Sequence, residues 1–154
     1  MQNEYKEELS EVFCDVLMNY AFMFGDSCPK NELPLNGDNH IHATISFGGD
    51  QAGILGISTS SNLCLQLAAN VLGIDIEEEN SMSEAYDALK ELINIVCGQF
   101  LTKVYGDTGI FDLSPPNIIE ISGVEWKSLI EDEETIGIII DDIPAIAYAF
   151  PKSA

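Results

Sequence analysis

The spacing of apolar residues predicts one long helix in the middle of the chain, over residues 81–106. Ser81 and Glu84 have the spacing of a capping box, and Gly106 is suited to end a helix. At about 100° per residue, the apolar side chains fall on one broad face. We expect this face to be buried: Ala85, Leu89, Leu92, Ile93, Val96, Phe100 and Val104.

The opposite face of this helix carries four residues in one narrow line. They are spaced i, i+4, i+7 and i+11, so they align along the helix: Asp87, Glu91, Asn94 and Gly98. We call this line the ridge. Asn and Gly cost roughly 0.7 to 1 kcal/mol relative to Ala inside a helix, so something other than helix propensity favours them here. A polar face is nevertheless the default for an amphipathic helix, and the ridge alone leaves that interpretation open.

Two further helices are predicted in the first half of the chain. A short helix covers residues 62–72, where Ser60 or Ser61 is suited to cap the start and Gly73 to end it. A first helix covers residues 3–24, and its apolar face is expected to be buried: Leu9, Val12, Phe13, Val16, Leu17 and Tyr20.

Runs of β-branched and aromatic residues predict the strands. The segments are 40–47, 52–58, 117–121, 135–140 and 145–150, with 125–129 extending the sheet. Loops or turns are predicted between them, over 25–38, 48–50, 107–116 and 141–144. Acidic runs at 74–80 and 131–134 are interpreted as solvated connections.

The order of these elements predicts an α+β fold, with one mostly antiparallel sheet and the helices packed on one side. Each half of the chain consists of a long helix followed by strands, which suggests a weak internal duplication in element order. At 154 residues the chain is long enough for one core, and no boundary divides it. We therefore expect a single domain over residues 1–154.

The charge of the chain restricts its partners. There are 26 acidic and 6 basic residues, giving a net charge of −20. Such a surface repels phosphate backbones and anionic lipids, which argues against nucleic-acid and membrane binding. No apolar run approaches the roughly 20 residues that span a bilayer, and the first residues lack the basic start of a secretion signal. A cytoplasmic protein is expected.

Candidate metal ligands and nucleophiles are few. The four cysteines form no C-x-x-C pair and are expected to be free thiols: Cys14, Cys28, Cys64 and Cys97. His40 and His42 share one face of a strand and could bind zinc, but no third histidine or suitably placed cysteine follows. We expect an ordinary surface pair and no metal site. Neither a Ser–His–acid nor a Cys–His motif is present.

The segment from Asp87 to Gly98 is similar to the active-site helix of the CheC/CheX/FliY family of chemotaxis phosphatases. That family has an Asp or Ser, a Glu four positions later, an Asn three beyond it, and a distant Pro. Here Pro116 lies 22 positions after Asn94, within one residue of the family spacing. The element order also resembles that of the family. The first helix has no Glu-x-x-Asn, so the chain resembles the single-site CheX type.

The resemblance implies a phosphatase that hydrolyses the phospho-aspartate of a CheY-like response regulator. Glu91 and Asn94 would be the catalytic residues, with Asn94 positioning the attacking water and Glu91 pairing with a lysine of the regulator. Asp87, Gly98 and Pro116 would contact the partner. Mg²⁺ is expected in the regulator and no cofactor in this chain. A homodimer formed through the sheet is also implied.

Two other classes of function stay open from the sequence. A non-catalytic adaptor of the flagellar-switch type would keep the ridge as a docking face without hydrolysing anything. The retained Asn argues for catalysis, since docking alone does not require an amide. A small-ligand sensor is a third class, but the sequence indicates no apolar pocket with convergent polar groups.

Overall fold

The computed structural model describes residues 4–34, 39–73 and 82–152. In these ranges the α-helices are α1 (Glu4–Ala21), α2 (Ser61–Leu72), α3 (Met82–Tyr105) and α4 (Gly123–Glu131). The strands are β1 (Gly25–Ser27), β2 (His40–Gly49), β3 (Ala52–Ser60), β4 (Phe111–Leu113), β5 (Asn117–Ile121), β6 (Ile136–Ile140) and β7 (Ile143–Lys152). A single 3₁₀ turn covers Lys30–Glu32. The predicted α+β class is confirmed.

The described strands form one sheet whose neighbours all run antiparallel. The order is β1-β6-β7-β3-β2-β4, and β5 pairs with β2 beside β4. Two long hairpins, β2–β3 and β6–β7, meet through the pairing of β3 with β7. One hairpin follows α1 and the other follows α3, so the two halves predicted from element order are present.

Alternation along β2 shows which face of the sheet carries the core. Ile41, Ala43, Ile45 and Phe47 are buried and belong to one cluster with the apolar faces of α1, α2 and α3. The predicted buried faces of both long helices are confirmed, except that Tyr20 and Val104 are only partly buried. No helix in the described ranges is both long and apolar enough to cross a membrane.

The helix ends follow the local sequence signals. The Ser60 Oγ accepts a hydrogen bond from the Leu63 N–H at 3.1 Å, and α2 ends at Gly73 in the left-handed region (φ 69°). Helix α3 ends before Gly106, which has φ 85°. The proposed capping box at Ser81 lies outside the described residues.

Residues 125–129 form part of α4, so the prediction that they extend the sheet is wrong. Ser122 and Glu125 form a capping box: Ser122 Oγ accepts from the Glu125 N–H at 3.1 Å, and Glu125 Oε1 accepts from the Ser122 N–H at 3.3 Å. The more deeply buried side chains of the segment, Trp126, Leu129 and Ile130, also have the helical spacing i, i+3, i+4. The capping box and the helical spacing of the more buried side chains therefore outweigh the β propensity of this segment.

Helix α4 packs on the sheet face opposite α1, α2 and α3. The Trp126 ring stacks on His40 with centroids 5.0 Å apart, and His40 points away from the neighbouring core residue Ile41. On the same face, His42 Nε2 and the Tyr148 hydroxyl are hydrogen-bonded at 2.9 Å. Burial lowers the pKa of both histidines. The pair is thus packed among aromatic rings rather than lying free on the surface.

Two short strands fall in segments that were predicted to be loops. β1 and β4 have three residues each and lie at opposite ends of the sheet. Three residues are too few for an alternating pattern to be recognised, and pairing with a neighbouring strand stabilises them. The other five predicted strand segments all form strands, and β7 extends the predicted 145–150 at both ends.

A substitution at Gly56 tests how closely residues pack at the centre of the sheet. A methyl group there would lie 2.2 Å from Cζ of Tyr148, the residue paired with Gly56 across β3 and β7. Because both residues are buried, we expect Gly56→Ala to reduce the free energy of unfolding by about 1 to 3 kcal/mol. Urea denaturation measures the change. Gly48→Ala is the matched control, because no atom of the described residues other than its chain neighbours would lie within 4 Å of the added Cβ. Equal stability of the two variants would contradict the packing.

Candidate functional site

The buried face of α3 determines where the ridge points. Nine residues of this helix are buried among α1, α2 and the sheet. The side chains of Asp87, Glu91 and Asn94 are exposed on the other side. Because successive residues are about 100° apart around a helix, burying one face fixes the direction of the opposite one.

The ridge forms one wall of an open groove of about 520 Å³. The lining residues on α3 are Asp87, Lys90, Glu91 and Asn94, and those on the segment between β4 and β5 are Leu113, Ser114, Pro115 and Pro116. The structure thus brings together four of the five residues singled out in the sequence. The fifth, Gly98, is not among the lining residues.

Strand β2 holds the proline wall in place. The Ser114 N–H donates to the Ser46 carbonyl at 2.9 Å, and the Ser46 N–H donates to the Ser114 Oγ at 2.9 Å. On either side of this link, Leu113 pairs with Phe47 and Asn117 pairs with Thr44. Pro115 and Pro116 lack an N–H to donate, which suits the break between two short edge strands. The wall opposite Asn94 is therefore anchored to the sheet.

Gly98 follows Asn94 by about one turn and has open space around it. A Cβ atom at this position would meet no atom of the described residues around it within 4 Å, and the φ of Gly98 is not in the positive region. Its carbonyl accepts a bond from Thr102 Oγ1 at 3.1 Å. Neither backbone conformation nor packing within this chain requires glycine there.

Lys90 is a groove residue that the sequence analysis missed. It is the single basic residue lining the groove, and the structure gives it no ion pair or hydrogen bond to another described residue. By contrast, Lys6 and Lys30 donate to the backbone carbonyls of Glu133 and Asp132, and Lys103 pairs with Glu11 at 3.0 Å. Lys90 could have been recognised in the sequence, because it lies four residues before Asn94 and therefore on the same side of the helix.

A second groove, on α1, has a different chemical character. Its volume is about 380 Å³ and its lining includes Glu11, Cys14 and Asp15, with residues 25–27 opposite. It contains no asparagine, and Glu11 is engaged with Lys103. Burial, followed by the nearby Asp26 and Asp15 charges, raises the pKa of the Cys14 thiol. Of the described long helices, α3 alone carries an exposed Glu-x-x-Asn.

The ridge groove can orient a small polar group but is poorly equipped for covalent attack. Its lining offers an amide, two carboxylates and an ammonium group, with neither histidine nor cysteine. The Ser114 hydroxyl oxygen already accepts a backbone N–H. Among the described residues, no group of three or more His, Cys, Asp or Glu side chains is placed to hold a metal ion.

Solved structures that resemble this fold include chemotaxis proteins. CheX from Vibrio vulnificus is 17% identical, with 99% of each chain covered and a TM-score of 0.71. CheX from Desulfovibrio desulfuricans is 14% identical, covering 97% of this chain and 99% of the other, with a TM-score of 0.70. A chain of the CheX–CheY–BeF₃–Mg²⁺ complex from Borrelia burgdorferi is 18% identical. The match covers 97% of this chain and 98% of the other, with a TM-score of 0.67. These identities are low, so the likeness shows the fold.

The family assignment comes from the sequence itself. No curated protein matches the chain. Residues 41–139 match the family described as "Chemotaxis phosphatase CheX". That range covers more than half of the chain and contains both walls of the ridge groove. The chain therefore belongs to the CheX family of chemotaxis phosphatases.

Proposed function

We propose that this protein hydrolyses the phospho-aspartate of a CheY-like response regulator, using Glu91 and Asn94 of α3. The observation that carries the proposal is the exposed Glu-x-x-Asn facing a wall that contains Pro116. The Borrelia burgdorferi complex of CheX with CheY supports the class of partner. Because the ridge stands on the protein surface, it could enter the pocket of another protein.

The proposed chemistry assigns positioning to Asn94. An acyl phosphate is already activated, and its hydrolysis through a loose transition state depends on aligning water with the breaking P–O bond. The Asn94 carbonyl oxygen would accept a hydrogen bond from that water, while its NH₂ group would donate to a phosphoryl oxygen. The water oxygen would form the new bond to phosphorus as the P–O bond to the aspartate breaks. The aspartate would leave as a carboxylate, and the protons of the water would stay on the inorganic phosphate or pass to bulk solvent. Asn94 need not act as a base.

Charged groups of the groove would set the register of docking. Glu91 would pair with the active-site lysine of the regulator, and Asp87 would contact the partner beside it. Two carboxylates near a phosphoryl group are repelled by it, and the free ammonium group of Lys90 would offset part of that repulsion. Mg²⁺ would belong to the regulator, where it neutralises phosphoryl charge.

Assembly and compartment remain predictions. A homodimer would form by adding strands across a free edge of the sheet, which among the described strands ends at β1 on one side and at β4 and β5 on the other. A cytoplasmic location would place the protein beside its regulator.

Replacing Asn94 tests the proposed function. We expect Asn94→Ala to reduce the turnover number by about 100-fold, since an oriented hydrogen-bonding group at the reacting centre is lost. Binding to the regulator and the fold should remain, because the side chain is exposed. The measurement is phosphate release from a CheY-like regulator phosphorylated with acetyl phosphate.

The control is Gln99→Ala, which removes an exposed amide from another side of the same helix. An unchanged rate in Asn94→Ala would contradict the catalytic assignment. If the unmodified protein binds the phosphorylated regulator without shortening the life of its phosphoryl group, the adaptor function is correct instead.

Glu91 is expected to act through the regulator's lysine. Glu91→Ala should raise KM and lower kcat/KM, since docking loses a charge pair made at the reacting centre. A charge exchange makes the test specific: Glu91→Lys combined with a glutamate at the regulator's lysine should restore binding relative to either change alone. Glu7→Ala, at an exposed acid of α1, is the control. Equal binding by all combinations would exclude the pairing.

A substitution at Gly98 should change stability and regulator affinity in opposite directions. Because nothing lies within 4 Å of a Cβ at this position, Gly98→Ala should stabilise the protein by up to about 1 kcal/mol. The added methyl group would hold the partner's backbone away, so affinity for the regulator should fall. Thermal unfolding and a binding titration measure the two effects. Gly123→Ala in α4 is the control; full affinity in Gly98→Ala would refute the role in docking.

A further inference from the structure

Large apolar side chains are exposed where α1 and α2 end. Seven such side chains are exposed in the described residues, and four of them occur here: Met18, Phe22, Phe24 and Leu72. Phe22 is 76% exposed and Leu72 54%. The two helix ends are joined directly, because Asn70 Nδ2 donates to the Ala21 carbonyl at 2.9 Å. This concentration indicates a surface adapted to cover by another molecule.

The backbone of Phe22 strengthens this interpretation. Helix α1 ends with the Phe22 N–H donating to the Met18 carbonyl and the Met23 N–H donating to the Leu17 carbonyl. This arrangement places Phe22 at φ 55°, where glycine or asparagine is usual. A bulky residue is strained in that conformation. Since the ring is mostly exposed, packing within the chain does not account for an aromatic residue there.

Leu72 connects this exposed surface to a pocket that adjoins the ridge groove. A pocket of about 260 Å³ lies between the three helices, lined by Tyr20, Val71, Leu72, Glu84, Asp87 and Ala88. Asp87 lines this pocket and the ridge groove alike. Burial, followed by the negative charge of Glu91, raises the pKa of Tyr20, so its hydroxyl lies within electrostatic range of the ridge. A partner bound at the ridge would therefore also be in position to contact this pocket.

We propose that an apolar platform formed by Tyr20, Phe22, Val71 and Leu72 binds apolar side chains of the same phosphorylated regulator, next to its phosphorylation pocket. This inference rests on the proposed function and extends its docking surface. The partner's lysine, placed beside Glu91, would also lie near Asp87 and Glu84 at the edge of the platform. A second copy of this chain would instead bind at a free edge of the sheet, as proposed above, so the platform on the helices is left for the regulator.

The ridge and the platform would contribute differently to binding, because their interactions differ in strength. Exposed ion pairs contribute little to affinity, whereas buried aromatic and aliphatic anchors dominate the affinity of protein interfaces. The ridge would therefore supply register and turnover. The platform would supply affinity.

The test combines Phe22→Gly with Leu72→Ser. Glycine suits φ 55° and both side chains are mostly exposed, so the double variant should fold with unchanged or higher stability. Its affinity for a CheY-like regulator loaded with beryllofluoride and Mg²⁺, measured by calorimetry, should fall about tenfold or more. The turnover number at saturating regulator should stay near that of the unmodified protein. Val124→Ser, at a 77% exposed residue of α4, is the matched control.

Three results would overturn the inference. If the double variant binds with full affinity while the unmodified protein dephosphorylates the regulator, the platform is wrong and the proposed function stands. Loss of self-association in sedimentation, with unchanged regulator affinity, would make a second copy the occupant instead. If the unmodified protein neither binds nor dephosphorylates the regulators tested, the proposed function fails and the platform with it.

Discussion

Burial of one face of α3 is the constraint on which the site depends. The side chains of Leu89, Leu92, Ile93 and Val96 are held among α1, α2 and the sheet, so the helix cannot rotate without exposing them. The outward direction of Asp87, Glu91 and Asn94 is therefore enforced by the core. A group that positions water must be held to within a fraction of an ångström, and a helix packed in this way provides that rigidity.

Strand β2 connects the two walls of the groove. Its core face packs beneath α3, while its outer edge pairs with β4 and β5 and holds Ser114 through two hydrogen bonds to Ser46. The spacing between Asn94 and Pro116 is thus set by a single rigid element. The 22 residues that separate them in sequence include the end of the helix and a loop, and neither needs to be rigid by itself.

Local signals were sufficient for α3 over its described length, since the apolar period and the stop at Gly106 agree with the structure, and the ridge followed from the same period. Pro116 could be placed opposite the ridge through family resemblance alone, because hydrophobic period carries no information about a loop. The β propensity of its apolar residues predicts a strand within α4. The capping box formed by Ser122 and Glu125 is the local signal that instead favours a helix. The pocket beside Tyr20 joins three helices that are distant in sequence, so no pattern along the chain could predict it.

The charge of the molecule explains why docking would require more than the ridge. With −20 overall and two carboxylates in the groove, long-range forces oppose the approach of a phosphorylated, metal-binding pocket. Lys90 would offset part of this locally, and the proposed pairing of Glu91 with a lysine would become favourable only after contact. Burial of apolar surface is not opposed by these charges, since its free energy depends on the apolar area removed from water. The positive φ and the exposure of Phe22 are understandable on this basis, because coverage by the proposed partner would offset the cost of that conformation in the free protein.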